Sequence, residues 1–364
     1  MTILGIDTSC DDTCIAVLEI KNKKIEIKSN IISSQVKLHA KYGGVYPSLA
    51  KREHQKNLPI VFKKTLRQTQ GKEVDLIGVT VGPGLEPCLW QGINFAKELA
   101  GKFKKPLIPV NHIEAHILAN WLMPICENSE PRIPNPKKIF PAICLIVSGG
   151  HTQLILMQGI GKYKLIGETR DDAAGECFDK TARILGLGYP GGPIVAKLAA
   201  KYKIQDMRCK IELPRPMIYQ KNYDFSFSGL KTAVLYEVKS AKRKAKSEKY
   251  IRAMCHEVQQ AIIDVLIHKT FKAAKDFRVK TVILGGGVAA NEELRKQFNR
   301  KLEIVPTSSG ILDEIGKNRK FNFLVPPKNL CTDNAAMIAI TASFHQKEAE
   351  KNWQKIKADA NLKI

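Results

Sequence analysis

No apolar run in the chain approaches the ~18 residues of a membrane span. The opening "MTILGIDTSCDDT" has neither the basic start nor the long apolar stretch of a signal peptide, and reads as a β-strand entering a polar turn. No C-x-x-C pair occurs among the 9 cysteines, which are scattered from Cys10 to Cys331, so a disulfide framework is not expected in a chain of 364 residues. A reducing cytoplasm is the expected setting, with no membrane partner. No G-x-x-x-x-G-K-[ST] is present, which excludes a P-loop, and no H-E-x-x-H, which removes the general base of a zincin protease. Acidic residues are few: 35 Asp and Glu stand against 58 Lys and Arg, a net charge of +23. A polyanionic partner follows naturally. Part of the excess lies in solvated runs such as "KSAKRKAKSEK" (239–249) and "GKNRK" (316–320), and charge alone does not choose between RNA and DNA.

The chain is 44% hydrophobic, enough for sizeable cores, and its length fits two domains. "TILGIDTS" and "TCIAVLEI" read as a hairpin closed by a polar turn, with a third strand in "KIEIKSNIIS". A helix follows the Gly/Pro loop of "YGGVYPSLAKREH". "DLIGVTVGPG" reads as a strand, "INFAKELAGKF" as a helix and "PLIPVNH" as a strand. This alternation gives an α/β domain. "MPICENSEPRIPNPKKIFP" (123–141) reads as a linker, after which "FPAICLIVSGGHTQLILMQGI" restarts the strand–turn–strand pattern. Later come a long helix over about 252–276, a strand in "KTVILGGG", a helix in "NEELRKQF" and a last helix near "TDNAAMIAITASF", with Thr332 or Asp333 as N-cap. The expected division is 1–130 and 131–364.

Several clusters carry candidate chemistry. In "NHIEAH", His112 and His116 are four apart and share one helix face, just past a strand end where open α/β sheets place ligands. Glu114 falls on another face, and two histidines alone are too few for a metal site. On their own they read first as a pair of surface or cleft histidines. "VSGGHT" (147–152) reads as an anion cradle or as an ordinary turn. Gly286 and Gly287 let an adenine ring approach backbone. Asp172, Glu176, Asp179 and Lys180 recur at helical spacing, to hold ribose hydroxyls or to form pairs such as Glu176 with Lys180. Phe225 and Phe227 read as core. Asp11 and Asp12 sit in the first turn, to hold a cation or a proton, or to cap it.

Taken in order, "GIDTSCDDT", "SQVKLHAKYGGVYPSLAKREH", "GPGL", "NHIEAH", "LIVSGGHTQL", "GETRDDAAGECFDKTARILGLGYPGGP", "DFSFSGLKTAV", "GGGVAANEELR" and "CTDNAAMIA" resemble one family, the bacterial TsaD transferases, over about residues 3–345. The resemblance implies an actin-like, Hsp70-like and sugar-kinase-like fold: two ribonuclease-H-like halves around a nucleotide cleft. It implies transfer of threonylcarbamoyl from threonylcarbamoyl-AMP to N6 of the adenosine 3′ of the anticodon in tRNA. Two other readings are a non-catalytic nucleotide-binding module and, with less support, a metalloprotease. By resemblance His112, His116 and Asp333 ligate one divalent metal, iron(II) first and zinc second. Ile146, Val147, Ser148, Gly149 and Gly150 lie under the acyl-adenylate, Asp179 holds ribose, and Gly192 and Asn291 flank the adenosine. Asp11, Asp12 and His151 are the catalytic candidates. A TsaB-like paralogue and a TsaE-like ATPase are implied as partners.

The chain also departs from the family pattern. Asn111 and Ala115 replace His and Gly, Asp12 replaces a longer Glu, and Ala196 stands where some relatives carry Asp. "GPGLEPCLWQG" differs after "GPGL", and the basic segment 307–322 is a further candidate tRNA contact.

Overall fold

The computed structural model describes residues 1–122, 135–203, 211–242, 247–303, 311–312, 318–319, 321–349 and 353–364. The proline-rich stretch at 123–134 and most of the basic segment 307–322 lie outside the described residues. Two compact units form. One comprises Met1–Asn135 with Pro326–Ile364, the other Pro136–Val325.

The first unit opens with the expected hairpin. Strands β1 (Thr2–Asp7), β2 (Asp12–Lys21) and β3 (Lys24–Ser34) pair antiparallel in turn. The short α1 (Val36–His39) and the long α2 (Pro47–Gln68) lead to β4 (Leu76–Gly82), α3 (Glu86–Phe103), β5 (Leu107–Asn111) and α4 (His112–Leu118). β4 pairs parallel to β1 and β5 to β4, giving the order β3-β2-β1-β4-β5. Helix α3 starts before the expected "INFAKELAGKF", with Pro87 in its first turn. Gly92, inside α3, lets the helix lie close against the first turn: a Cβ there would lie 2.4 Å from Thr8 Oγ1.

The second unit repeats the plan. After α5 (Pro136–Ile139), β6 (Ala142–Val147), β7 (Thr152–Gly159) and β8 (Lys162–Glu168) form the antiparallel set. Then come α6 (Ala174–Ile184), α7 (Gly191–Ala199), α8 (Ser228–Ala241), α9 (Glu248–Asp276), β9 (Thr281–Gly285) and α10 (Glu292–Glu303). A two-residue pair, β10 (Ile311–Leu312) with β11 (Asn318–Arg319), stands apart from the main sheet. β12 (Asn322–Leu324) closes the order β12-β9-β6-β7-β8, with β9 parallel to both β6 and β12. Each sheet therefore carries three antiparallel strands followed by two parallel ones, in one topology.

The chain then returns to the first unit as α11 (Ala335–Phe344). Here the expected division changes. Residues 326–364, Asp333 among them, pack with 1–135 and not with the half that begins near 131. Small residues make this possible. Gly5 of β1 lies under α11 so closely that a Cβ would sit 2.2 Å from the Ala335 carbonyl oxygen, and one at Gly78 would sit 2.7 Å from Ala342 Cβ. Side chains alternate along a strand, so Gly5 and Asp7 face α11 while Leu4 and Ile6 face the core under α2 and α3. The N-cap of α11 is Asn334, whose side chain accepts the Met337 N–H at 3.1 Å, not Thr332 or Asp333. Asp333 is thereby left to turn elsewhere.

The close approach of α11 generates a test. Gly5→Ala is expected to cost about 1–3 kcal/mol of stability through overpacking, read as a lower denaturation midpoint. Gly149→Ala adds a carbon that meets nothing within 4 Å and should leave the midpoint in place.

Candidate functional site

β1, β4 and β5 run parallel, so their C-terminal ends lie at one edge of the sheet. Asp7 ends β1, and α4 begins directly after β5. Asn111 supplies the cap of α4: its Oδ1 accepts from the Ile113 and Glu114 N–H groups at 2.9 and 3.2 Å. Asn111 therefore has a helix-capping role of its own. One helical turn then stacks His112 and His116 with ring centroids 4.6 Å apart at 77°. Asp333 arrives from the start of α11. Its Oδ1 lies 3.4 Å from His112 Nε2 and 3.2 Å from His116 Nε2. One ligand atom from each of the three falls within 4.8 Å of the others.

The electrostatics call for a cation. Asp7 is fully buried; its Oδ1 accepts the Ser9 N–H at 3.1 Å, while its Oδ2 lies 3.6 Å from His112 Nδ1 and accepts no hydrogen bond. Asp11 Oδ2, Asp12 Oδ1 and His116 Nδ1 are buried and also lack hydrogen-bond partners. Burial pushes the Asp7, Asp11 and Asp12 carboxyls up, Asp12 to about 7, and the neighbouring Asp333 charge adds to each. Burial works against ionised Asp333 too, but the facing His112 and His116 rings hold it well below the usual carboxylate range. Burial opposes a charged His112 as well, yet Asp333 and Asp7 raise it to about 9. His116 moves down through burial. His112 and the carboxylates thus favour opposite charges across the cluster. A divalent ion would supply positive charge there, and two imidazoles with a carboxylate are a suitable donor set. The cluster can hold a metal ion.

Glu114 points away from this centre. Its Oε1 lies 2.9 Å from His345 Nε2, and His345 Nδ1 meets Glu348 Oε1 at 2.8 Å. Behind the first turn, burial lowers the pKa of His54 and so favours its neutral ring. Its Nε2 lies 2.9 Å from the Cys10 carbonyl and its Nδ1 2.8 Å from Thr13 Oγ1.

The second unit carries the other candidates. Ile146 and Val147 end β6, and Ser148–His151 form its turn, where Ser148 N–H donates to the His151 carbonyl and Ser148 Oγ accepts from His151 N–H. Gly149 and Gly150 are open to solvent. The glycine turn after β9 touches this backbone: a Cβ at Gly286, φ 87°, would lie 2.4 Å from the Val147 carbonyl oxygen. Asp179 accepts the Gly191 N–H at 2.7 Å, fixing the start of α7, in whose first turn Gly192 lies. Asn291 accepts the Leu294 N–H at 3.0 Å and donates to Gln259 at 2.9 Å, so a helix-capping role is already filled there. Glu176 pairs with Lys180 at 2.9 Å. Asp171 accepts from the Phe227 and Ser228 N–H groups, joining "DDAAGE" to "DFSFSG", where Phe225 and Phe227 are fully buried. Asp11 and Asp12 belong to the first unit and His151 to the second.

The family model for TsaD, tRNA N6-adenosine threonylcarbamoyltransferase, matches residues 26–340. The chain belongs to the TsaD family. A relative of that name in Thermosipho melanesiensis is 47% identical over 93% of both chains, and one in Thermosipho africanus is 44% identical over 100% of both. Among solved structures, full-length HypF superposes with TM-score 0.55 at 14% identity, over 95% of this chain and 46% of that one. HypF of T. kodakarensis gives 0.52 at 15%, over 97% and 49%. This TsaD chain thus has the actin-like, Hsp70-like and sugar-kinase-like fold that the repeated sheet topology indicates. No helix among the described residues is long and apolar enough to cross a membrane, and the described cysteines are free.

Asp7 escaped the reading from sequence, though an aspartate closing a wholly apolar strand was a signal, since Asp is rarely fully buried unless paired. His345 carried no signal, because its partner is remote in the chain.

Two outcomes are expected for this TsaD member. His112→Ala with His116→Ala should abolish stoichiometric binding of a divalent ion, measured by elemental analysis, with circular dichroism unchanged. Glu114 raises His345 from 6.5 to about 9. A pKa raised on folding gives stability that is complete below about 6.5 and disappears as pH rises through about 9. Denaturation of His345→Gln should therefore fall furthest below wild type in mildly acidic solution and converge with it in alkali.

Proposed function

We propose that the chain transfers the threonylcarbamoyl group of threonylcarbamoyl-AMP to N6 of the adenosine just 3′ of the anticodon, in tRNAs reading codons that begin with A. The buried His112–His116–Asp333 cluster, in a member of the TsaD family, carries this reading. A protease would need a carboxylate directed at the histidines' substrate, and Glu114 is committed to His345. In the reaction N6 attacks the acyl carbon of the mixed anhydride. The bond from that carbon to the phosphate oxygen breaks, AMP leaves with the electron pair, and N6 loses one proton. The amine is a poor nucleophile, so positioning is the main demand on the protein.

His112, His116 and Asp333 would hold one divalent ion, iron(II) in first place and zinc as the alternative. When bound, the ion supplies Lewis-acid polarisation at the acyl group. Asp7 backs His112, and Asp11, Asp12 and His151 are the groups assigned to orient the carbamoyl or receive the proton. The Ile146–Gly150 turn is assigned to the acyl-adenylate, Asp179 to the ribose, and Gly192 and Asn291 to the adenosine. The net charge of +23 suits tRNA as the acceptor. A TsaB-like paralogue and a TsaE-like ATPase are the partners this reading brings with it, and the cytoplasm its setting.

The test is mass spectrometry of nucleosides from unmodified tRNA incubated with threonylcarbamoyl-AMP, the chain and its two partners. Threonylcarbamoyladenosine is expected with wild type and not with the His112→Ala/His116→Ala chain. Product from both would remove the histidines from the mechanism. Product from neither, with active partners, would leave a non-catalytic nucleotide-binding module.

A further inference from the structure

The segment from Gln35 to Lys56 fills none of the roles above, yet it is built onto the first turn. Tyr42 and Tyr46 are 62% and 55% exposed, and their rings stack with centroids 5.8 Å apart at 28°. Nothing in a core needs two large aromatic faces in water. The loop between them turns through Gly43, whose φ of 67° lies in the left-handed region. Around them in the chain Lys37, Lys41, Lys51 and Arg52 are exposed, and Glu53 is the single carboxylate from Gln35 to Lys56.

This pair is tied to the candidate catalytic turn. The Tyr46 N–H donates to His39 Nδ1 at 3.3 Å, and His39 Nε2 lies 3.1 Å from Gln35 Oε1. The Gln35 N–H donates to the Asp11 carbonyl at 3.0 Å. From the other side, α2 begins directly after Tyr46 and holds the Cys10 carbonyl through His54. The two tyrosines are therefore fixed relative to Asp11 and Asp12 by backbone and by two buried histidines.

We propose that Tyr42 and Tyr46 form a stacking platform for unpaired bases of the tRNA anticodon loop beside the target adenosine, with Lys37, Lys41, Lys51 and Arg52 taking the adjoining phosphates. Exposed aromatics among basic side chains are the chemistry of single-stranded nucleic-acid binding: any base offers a π-face, and the backbone charge meets lysine and arginine. A protein-docking core is depleted of lysine, which this surface is not. The inference rests on the transferase reading for the identity of the RNA.

The experiment uses an anticodon stem–loop RNA with 2-aminopurine next to the target adenosine, the chain with its partners, and no acyl donor. Tyr42→Ala and Tyr46→Ala should each weaken binding by about 5-fold or more and relieve the 2-aminopurine quench, while Tyr→Phe at either site restores both. In the full reaction the loss should be read in the KM for tRNA rather than in kcat. Lys51→Gln with Arg52→Gln should flatten the dependence of affinity on salt. Wild-type affinity and quench in both alanine chains would overturn the platform. So would intact RNA affinity with loss of a protein partner, which would make the surface a protein-docking face. A wild-type chain that binds the stem–loop through these tyrosines but forms no product counts against the transferase reading and leaves the platform standing.

Discussion

A carboxylate cannot remain ionised in a protein interior without a positive charge beside it. The first unit buries Asp7 completely and sets Asp333 against two imidazoles at the same sheet edge. That need for compensating charge organises the surrounding structure. It explains why two histidines lie in the first turn and a half of α4, and why Asn111 caps that helix so that both rings face one way. It also explains why Glu114, a further carboxylate on the same short helix, is neutralised separately by His345. The centre is a cluster of facing opposite charges with a donor set that can hold a cation.

The set is assembled from remote parts of the chain, and glycine makes that assembly possible. Asp333 reaches the histidines because α11 lies against β1 and β4 at a distance that only Gly5 and Gly78 permit. The neighbouring Asn334 takes the capping duty that would otherwise fall to Asp333. Two adjacent polar residues thus divide two tasks, one satisfying the helix and the other facing His112 and His116. A side chain beyond Cα at either glycine would shift α11 and, with it, Asp333.

Much of this was legible in the sequence. Both hairpins, the alternation of strands and helices after each, and the helical spacing of the His pair follow from local pattern, and the structure has them where the periodicity puts them. The early start of α3 was obscured by Pro87, which is tolerated in a first turn. The return of the chain to the first unit was not legible for a different reason. Helix α11 is apolar on every side and buried from Ala335 to Ser343, so it has no polar face to show which sheet it covers. Asp7 and His345 were missed because their significance lies in partners more than a hundred residues away, His112 and Glu114. The resemblance to a family supplied Asp333 as a ligand; spacing alone did not.

The position of Asp333 just ahead of α11 has a further electrostatic consequence. The N-terminal end of a helix carries a partial positive charge from its unpaired N–H groups. A carboxylate there is favoured in its ionised form, the form that accepts a metal ion. Asn334 satisfies one N–H of that turn without adding charge, so the field at Asp333 is not cancelled by the cap. An aspartate at the cap would have placed a second negative charge against the ligand and raised its proton affinity. The capping residue and the ligand are therefore coupled through charge as well as geometry. The neutral amide at 334 adds no charge against Asp333, whose ionised form the facing His112 and His116 rings favour in a site where burial opposes it.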